Sequence, residues 1–131
     1  MATTTATITL NSADLTTDAL ALSKTATLTK AGTTTGLSQT TGVGRKTTSA
    51  SSAVTLFAAA DYTDDKAHKI YLCNTSSTAT EYATITVGTQ AVGRLYAGDW
   101  AFIPWDGTGD FKYTPSVATS FTLEYQLLIE E

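Results

Sequence analysis

Apolar residues alternate with threonine and other polar residues along most of this chain, and this period of two limits its fold more than any other feature. The clearest case is SFTLEYQLLIEE, in which every second residue from Phe121 to Ile129 is aliphatic or aromatic. Side chains two residues apart lie on the same face of a strand, so the pattern predicts a half-buried β-strand. No stretch of a dozen residues shows the 3.6-residue period of an amphipathic helix.

The same alternation recurs along the chain, and turn-forming residues separate its occurrences. It is seen in ATITL, LALSKTATLTK, KIYLCN and EYATITVG, while WAFIPW is apolar on both faces. Clusters of turn residues such as NTSST, AGD, DGTGD and TPS lie between these runs. Their spacing predicts an all-β protein built as an antiparallel sandwich or a barrel. With 131 residues, the chain predicts a single domain over 1–131.

Two segments depart from the strand pattern. Residues 32–52 are rich in glycine, threonine and serine, with Leu37 and Val43 as their apolar anchors. Such a segment cannot bury enough apolar surface to offset the entropy that it loses on ordering. It predicts a long loop that is either flexible or ordered by a neighbouring subunit, and residues 1–7 predict an N-terminal arm.

Threonine accounts for the unusual composition. The chain has 29 threonines, and only 15% of its residues are charged, against roughly a quarter in a typical soluble domain. Threonine favours extended backbone and covers a solvated sheet face without charge. Because desolvating a hydroxyl costs far less than desolvating a charge, such surfaces suit contact with other proteins.

The charge distribution argues against nucleic acid as a partner. The net charge is −4, and the basic residues cluster only at Arg45–Lys46 and at Lys66 and Lys69, whereas binding to phosphates needs a larger basic patch. The N-terminus lacks a signal-peptide pattern, and no apolar run reaches the roughly 20 residues of a membrane span. The single cysteine, Cys73, suits synthesis in a reducing cytoplasm. We therefore expect neither nucleic acid nor membrane as a partner.

No combination of residues predicts a catalytic or cofactor site. His68 and Cys73 lie five residues apart on one predicted strand, so their side chains point to opposite faces. Asp106 and Asp110 flank two glycines in DGTGD; hairpin-turn chemistry explains them, and calcium binding there is left open. We expect a protein that is not an enzyme and that holds no cofactor.

The stretch VGTQAVGRLY is a near match to a phosphate-binding loop, but a predicted strand follows it instead of a helix. It predicts a hairpin, in which Gly88 ends one strand, TQAV crosses and Gly93 lets the backbone re-enter the sheet. Arg94 leads into the aromatic strand that follows, and we expect its side chain to contact a carboxylate of a neighbouring chain.

Aromatic residues crowd the ten positions from Tyr96 to Trp105. Trp100 and Phe102 share one strand face and Trp105 lies on the other, so at least one large ring is left outside the core of a monomer. This parity favours a subunit interface or core, with glycan stacking on Trp100 or Trp105 as the alternative. The predicted interface residues are Arg45, Lys46, Arg94, Tyr96, Trp100, Phe102 and Trp105.

Three stretches, IYLCNTSSTATEYATITVG, VGRLYAGDWAFIPW and SFTLEYQLL, resemble small β-rich structural proteins of tailed bacteriophage virions. The resemblance covers Lys69 to the C-terminus, and TGLSQTTGVGRKTT is similar to a virion arm. It implies a β-sandwich, jelly-roll-like, that assembles as a homo-oligomer, a trimer or a dimer. It also implies contact with the major capsid protein or other virion proteins, and no catalytic residues.

The expected function is therefore capsid decoration, in which a cement protein made in the bacterial cytoplasm binds and stabilises the capsid lattice of the virion. A tail or fibre component of the virion is the nearest alternative. A carbohydrate-binding β-sandwich is the alternative from a different class.

Overall fold

A computed structural model describes residues 3–131, so the first two residues of the predicted arm 1–7 lie outside the described residues. The chain divides into two compact units, Met1–Ser38 and Gln39–Glu131, where the sequence predicted a single domain. Most of the remaining arm belongs to a β-strand, because the alternation of its threonines continues without a break into Ile8 and Leu10.

The first unit is a β-hairpin. Strand β1 (Thr4–Ser12) pairs antiparallel with β2 (Leu20–Leu28) over nine residues, without a register shift. The register places threonines opposite one another on one face, where the hydroxyl oxygens of Thr7 and Thr25 lie 2.7 Å apart. The other face is apolar. We call it the hairpin apolar face, and it consists of Ala6, Ile8, Leu10, Leu20, Leu22, Ala26 and Leu28, with Lys24 opposite Ile8. Leu28, at the end of β2, is buried.

The second unit contains nine strands and one 3-10 turn, Ala59–Asp61. The strands are β3 (Gln39–Thr40), β4 (Gly44–Thr48), β5 (Val54–Phe57), β6 (His68–Asn74), β7 (Tyr82–Val87), β8 (Gln90–Tyr96), β9 (Trp100–Trp105), β10 (Phe111–Pro115) and β11 (Phe121–Ile129). All their pairings are antiparallel.

These strands form two sheets that pack as a β-sandwich. The first sheet has the order β4-β11-β6-β9, with β3 continuing along the same side of β11 as β4, and the second has the order β5-β10-β7-β8. Counted from β4, the orders are 1-8-3-6 and 2-7-4-5, which is the strand order of a jelly roll. The prediction of an all-β, jelly-roll-like antiparallel sandwich is confirmed.

The core lies between the two sheets and is built by the alternation seen in the sequence. In β6 every second residue is buried, and β11 buries Phe121, Leu123 and Leu127. The second sheet contributes Ile85, Phe111 and further aromatic and aliphatic side chains. Each Å² of apolar surface that these side chains remove from water stabilises the fold by about 25 cal/mol.

The segment 32–52, predicted to be a long loop, contains two strands. Both β3 and β4 pair with β11, although they carry few apolar side chains. Their backbone hydrogen bonds and side-chain contacts replace apolar burial: Thr47 and Thr122 join their hydroxyls at 2.8 Å, and Thr40 donates to the Leu127 carbonyl at 2.8 Å. A sequence without apolar alternation therefore still completes the sheet as its polar edge.

Candidate interaction site

The outer face of the first sheet carries an aromatic cluster beside a carboxylate. Across the strands, Cys73 lies opposite Trp100 and Tyr71 lies opposite Phe102. Residues of β6 that point outward alternate with fully buried ones, so these pairs face away from the core. Glu124 of β11 is paired with Cys73 on this same side, and Arg45 of β4 is paired with Glu124. We call Arg45, Tyr71, Trp100, Phe102 and Glu124 the aromatic face.

Trp100 is the most exposed member of the ring cluster on the aromatic face, with 52% of its surface accessible, and Phe102 beside it is half-buried. Trp105, on the same strand, has the opposite parity and is only 2% exposed. Its ring packs with Phe57 and Phe111, and its indole N–H donates to the Gly109 carbonyl at 2.8 Å. Trp105 is therefore a core residue, which corrects its place among the predicted interface residues.

Glu124 is held in position on the aromatic face by two neighbours. Arg45 donates from Nε and Nη2 to Glu124 Oε2, each at 3.1 Å, and the Tyr71 hydroxyl donates to Oε1 at 3.1 Å. Burial and this hydrogen bond raise the pKa of Tyr71 to about 12. The carboxylate is therefore fixed on the aromatic face, in the cross-strand row in which Cys73 separates it from Trp100.

Lys46 lies apart from the aromatic face. It pairs with Leu123, whose side chain is buried, so Lys46 follows Arg45 on the opposite side of the strand. Lys46 is nevertheless exposed, because β4 is at the edge of the sheet. Its carbonyl accepts a hydrogen bond from the Tyr113 hydroxyl of the second sheet at 3.4 Å. This hydrogen bond to the second sheet is therefore made by the backbone of Lys46 and not by its side chain.

Arg94 and Tyr96 lie on the other sheet, on the outer side of β8. The Arg94 guanidinium carbon is 4.5 Å from the centre of the Tyr82 ring, and the Tyr82 and Tyr96 rings lie 5.1 Å apart. Arg94 therefore stacks on an aromatic ring of its own chain, a cation–π contact. The seven predicted residues do not form one surface, since Arg45, Trp100 and Phe102 share one sheet and Arg94 and Tyr96 share the other.

The hairpin predicted from VGTQAVGRLY is present, but it is tighter than the sequence suggested. Only Gly88 and Thr89 connect β7 to β8, and Gly88 has a φ of 59°, which favours glycine. Gly93 pairs with Ile85 inside β8, next to a register shift that leaves Val92 as an extra residue. Gly93 thus accompanies a β-bulge within the strand.

Sequence reasoning missed Tyr71 and Glu124 as members of the aromatic face. The signal was available for each, because Tyr71 alternates with buried Ile70 and Leu72, and Glu124 alternates with Leu123 and Tyr125. What the sequence does not contain is the strand order β4-β11-β6-β9, which brings these residues beside Trp100.

The hairpin apolar face is a second candidate surface. Ile8 is 40% exposed, Leu10 43% and Leu20 37%. Within residues 3–131, β1 and β2 pair only with each other, so their unit contains no second sheet layer. Soluble proteins usually bury such a face or use it for binding.

The two carboxylates left open as calcium ligands have separate partners. Asp106 accepts hydrogen bonds from the Thr108 N–H and hydroxyl, which lower the pKa of Asp106. Asp110 accepts from the Ala59 N–H at 2.9 Å and lies 3.3 Å from Lys112 Nζ, and these contacts lower the pKa of Asp110. No group of three or more His, Cys, Asp or Glu suited to a metal ion occurs in the described chain.

His68 is a core residue and not part of a site on the surface. It is fully buried between the rings of Tyr62 and Trp105, and its Nδ1 accepts the Glu130 N–H at 3.2 Å. Cys73 lies on the opposite side of the same strand, as its parity predicted; this side faces outward, and Cys73 is partly exposed.

Residues 3–131 include no helix long and apolar enough to cross a bilayer. Comparisons with protein-family models, with curated proteins and with solved structures find no match to this chain.

Proposed function

We propose that this chain is a non-enzymatic structural protein of a tailed-phage virion, a capsid decoration protein that forms homo-oligomers and binds the capsid lattice. The observation that carries the proposal is the hairpin apolar face, a row of aliphatic side chains in which Ile8, Leu10 and Leu20 are each at least 37% exposed. The resemblance of Lys69 to Glu131 to phage virion proteins supplies the setting.

The hairpin needs a partner for a physical reason. A two-stranded hairpin is marginally stable at best in water, because it buries little apolar surface to offset its ordering entropy. Docking the hairpin apolar face on a protein surface buries Ile8, Leu10 and Leu20 together. A repeating lattice offers the same docking site to every copy, so modest individual contacts add up.

The jelly roll and its surfaces support the same function. Jelly rolls recur in viral capsid proteins as well as in lectins. Of the outward residues of β7 and β10, Thr84, Thr86 and Thr114 present hydroxyls, and Lys112 is the one charged residue among them. Such a surface is desolvated at lower cost than a charged one when the protein packs against a neighbour.

Sedimentation with purified particles tests the proposal. We expect the protein to bind empty heads that lack decoration, and Leu20→Asp to weaken this binding at least about tenfold, because it buries a charge in the contact. Val43→Asp is the matched control, since Val43 is 65% exposed but lies in the second unit. Binding to isolated tails instead of heads would establish the tail or fibre alternative, and binding to neither would overturn a virion role.

One observation favours a second candidate, a carbohydrate-binding module. The exposed Trp100 indole lies on the aromatic face, two strands from Glu124, whose carboxylate is held in place by Arg45 and Tyr71. A flat ring on the same face as fixed hydrogen-bonding groups suits the apolar face and the hydroxyls of a sugar.

Fluorescence separates this candidate from the first, because the two tryptophans are in different environments. Trp105 is buried and reports the fold, whereas Trp100 is exposed to solvent and to added ligand. Saturable quenching by an oligosaccharide that is lost in Trp100→Phe would support the carbohydrate-binding candidate. Unchanged emission across a panel of neutral and acidic oligosaccharides would eliminate it.

A further inference from the structure

Strand β1 of the hairpin unit has an edge that is open and without protection. Its nine residues pair with β2 on one side, and no strand of the described chain pairs on the other side. Edge strands usually carry a charge, a proline or a bulge that discourages pairing with another chain. The segment Thr4–Ser12 contains none of these: it is TTATITLNS, and its register with β2 is unbroken.

The edge of β2 differs in this respect. Lys24 lies at the centre of β2, on the hairpin apolar face and opposite Ile8. A two-fold pairing of β2 with its copy about this central position would place two lysines directly opposite each other, which is unfavourable. The hairpin is therefore protected at the β2 edge and open at the β1 edge.

The sequence of β1 is complementary to itself. In an antiparallel pairing about a two-fold axis at Ile8, Ala6 lies opposite Leu10 and Ile8 lies opposite its own copy. On the other face Thr7 lies opposite Thr9 and Thr5 opposite Asn11, so hydroxyls and amides meet each other. No charged residue enters the contact, and the apolar residues of both copies share one face.

We propose that β1 pairs antiparallel with β1 of a second copy of this chain, about a two-fold axis at Ile8, to give a four-stranded sheet β2-β1-β1-β2. The new sheet satisfies the backbone groups of both open edges, and it doubles the hairpin apolar face into one continuous surface. A four-stranded sheet with one apolar face can be stable where a two-stranded hairpin is marginal. As the route to the homo-oligomer, this pairing rests on the proposed function.

Cysteine cross-linking tests the pairing in the full-length protein with Cys73→Ser. We expect Ile8→Cys to form a covalent dimer under mild oxidation, since cross-strand neighbours lie within disulfide reach. Ala26→Cys is the matched control, because Ala26 lies on the same face of β2 and this variant keeps Lys24, which protects the β2 edge. In the four-stranded sheet the two Ala26 positions are at least three strand spacings apart, about 14 Å or more, and no disulfide forms.

A second pair of variants tests the energetics by analytical ultracentrifugation. Ile8→Glu places two glutamates opposite each other at the axis while each faces Lys24 of its own hairpin, and we expect the dimer to dissociate at least about tenfold more readily. Ala26→Glu puts the same charge on the same face of β2 and leaves dimerisation unchanged within about threefold. Emission from buried Trp105 verifies that the jelly roll of each variant is folded.

The outcomes separate the pairing from the proposed function. Equal cross-linking of Ile8→Cys and Ala26→Cys, a dimer whose dissociation is unchanged by Ile8→Glu, or a wild-type protein that stays monomeric would each overturn the pairing. A monomer that still binds heads would support the decoration function and exclude the β1–β1 pairing. A dimer that behaves as expected but binds no particle would overturn the function and support the pairing.

Discussion

At the scale of single residues, Asn74 is a buried polar side chain whose hydrogen bonds hold the sandwich together. It is fully buried at the end of β6, and its amide nitrogen donates to the carbonyls of Glu81 and Leu95, at 3.2 and 3.0 Å. Its side-chain oxygen accepts the Ser76 N–H at 3.0 Å. Because Leu95 belongs to β8, Asn74 joins the two sheets of the jelly roll.

Replacing this residue should therefore destabilise the sandwich strongly. We expect Asn74→Ala to lower the free energy of unfolding by about 3 kcal/mol, since it leaves buried backbone groups without partners. Urea denaturation followed by Trp105 emission measures the change. The control Asn11→Ala, at an exposed position of β1, should stay within about 0.5 kcal/mol of the wild type. If Asn74→Ala lowered the free energy of unfolding as little as the control does, Asn74 would not be needed to join the two sheets.

Ionisation of Tyr71 lowers the stability of the protein at alkaline pH. Burial, and then the hydrogen bond to Glu124, raise the pKa of Tyr71 from 10.0 to about 12. Between these values the unfolded chain loses the phenol proton while the folded protein keeps it, so rising pH favours unfolding. The contribution of Tyr71 is fully present below its unfolded pKa and is lost as the pH rises through its folded pKa.

Tyr71→Phe should remove this part of the alkaline destabilisation. We expect the urea midpoint of the wild type to fall more than that of Tyr71→Phe between about pH 9 and about pH 11.5. Tyr62 and Tyr113 also have raised pKa values, but they are present in both proteins and cancel in the comparison. Tyr96→Phe, at a ring that is 42% exposed, is the control. Parallel pH profiles for the wild type and Tyr71→Phe would contradict the assignment.

At the scale of elements, two turn glycines allow the cost of backbone strain to be distinguished from the cost of a steric clash. Gly98 between β8 and β9 has a φ of 81°, and Gly107 between β9 and β10 has a φ of 85°. An added Cβ at Gly98 meets nothing within 4 Å, whereas at Gly107 it would lie 2.6 Å from the Thr63 carbonyl oxygen. The two positions share the conformation and differ in the space around it.

Alanine substitutions should reveal this difference. We expect Gly98→Ala to cost about 1 kcal/mol, the strain of a left-handed residue, and Gly107→Ala to cost about 3 kcal/mol, because the backbone of Thr63 must also move. Thermal unfolding of the two variants measures both costs. Equal losses would mean that the segment around Thr63 yields freely and that close packing of this turn does not contribute.

Elements were predictable from the sequence wherever one strand face is buried. The alternation in β6 and β11 predicted strands with two distinct faces, and parity placed Trp100 and Trp105 on opposite faces, although it did not indicate that Trp105 is the buried one. The pattern failed at β4, because a polar edge strand is held by backbone pairing and threonine contacts, which leave no apolar period. The pattern gave no sign of the contact between Arg94 and the Tyr82 ring, which the tight turn at Gly88 brings about by pairing β7 with β8.

At the scale of the whole molecule, the two units differ in how their stability arises. Every residue of the hydrophobic core cluster lies between Phe57 and Leu127, inside the second unit. The hairpin unit has two buried aliphatic side chains, Leu28 and Leu37, and otherwise mainly the pairing of β1 with β2. Domains with their own core fold independently, whereas an isolated hairpin does not.

The fragment Gln39–Glu131 should therefore fold alone. It keeps β3, whose Thr40 hydroxyl donates to the Leu127 carbonyl, and it keeps every strand of both sheets. We expect cooperative urea unfolding, reported by Trp105, with a free energy within about 1 kcal/mol of that of the full chain. Because β1 is absent, the fragment should also be monomeric where the full chain dimerises. A fragment without a cooperative transition would show that the jelly roll depends on the hairpin, and a fragment that still dimerises would move the interface to the sandwich surfaces.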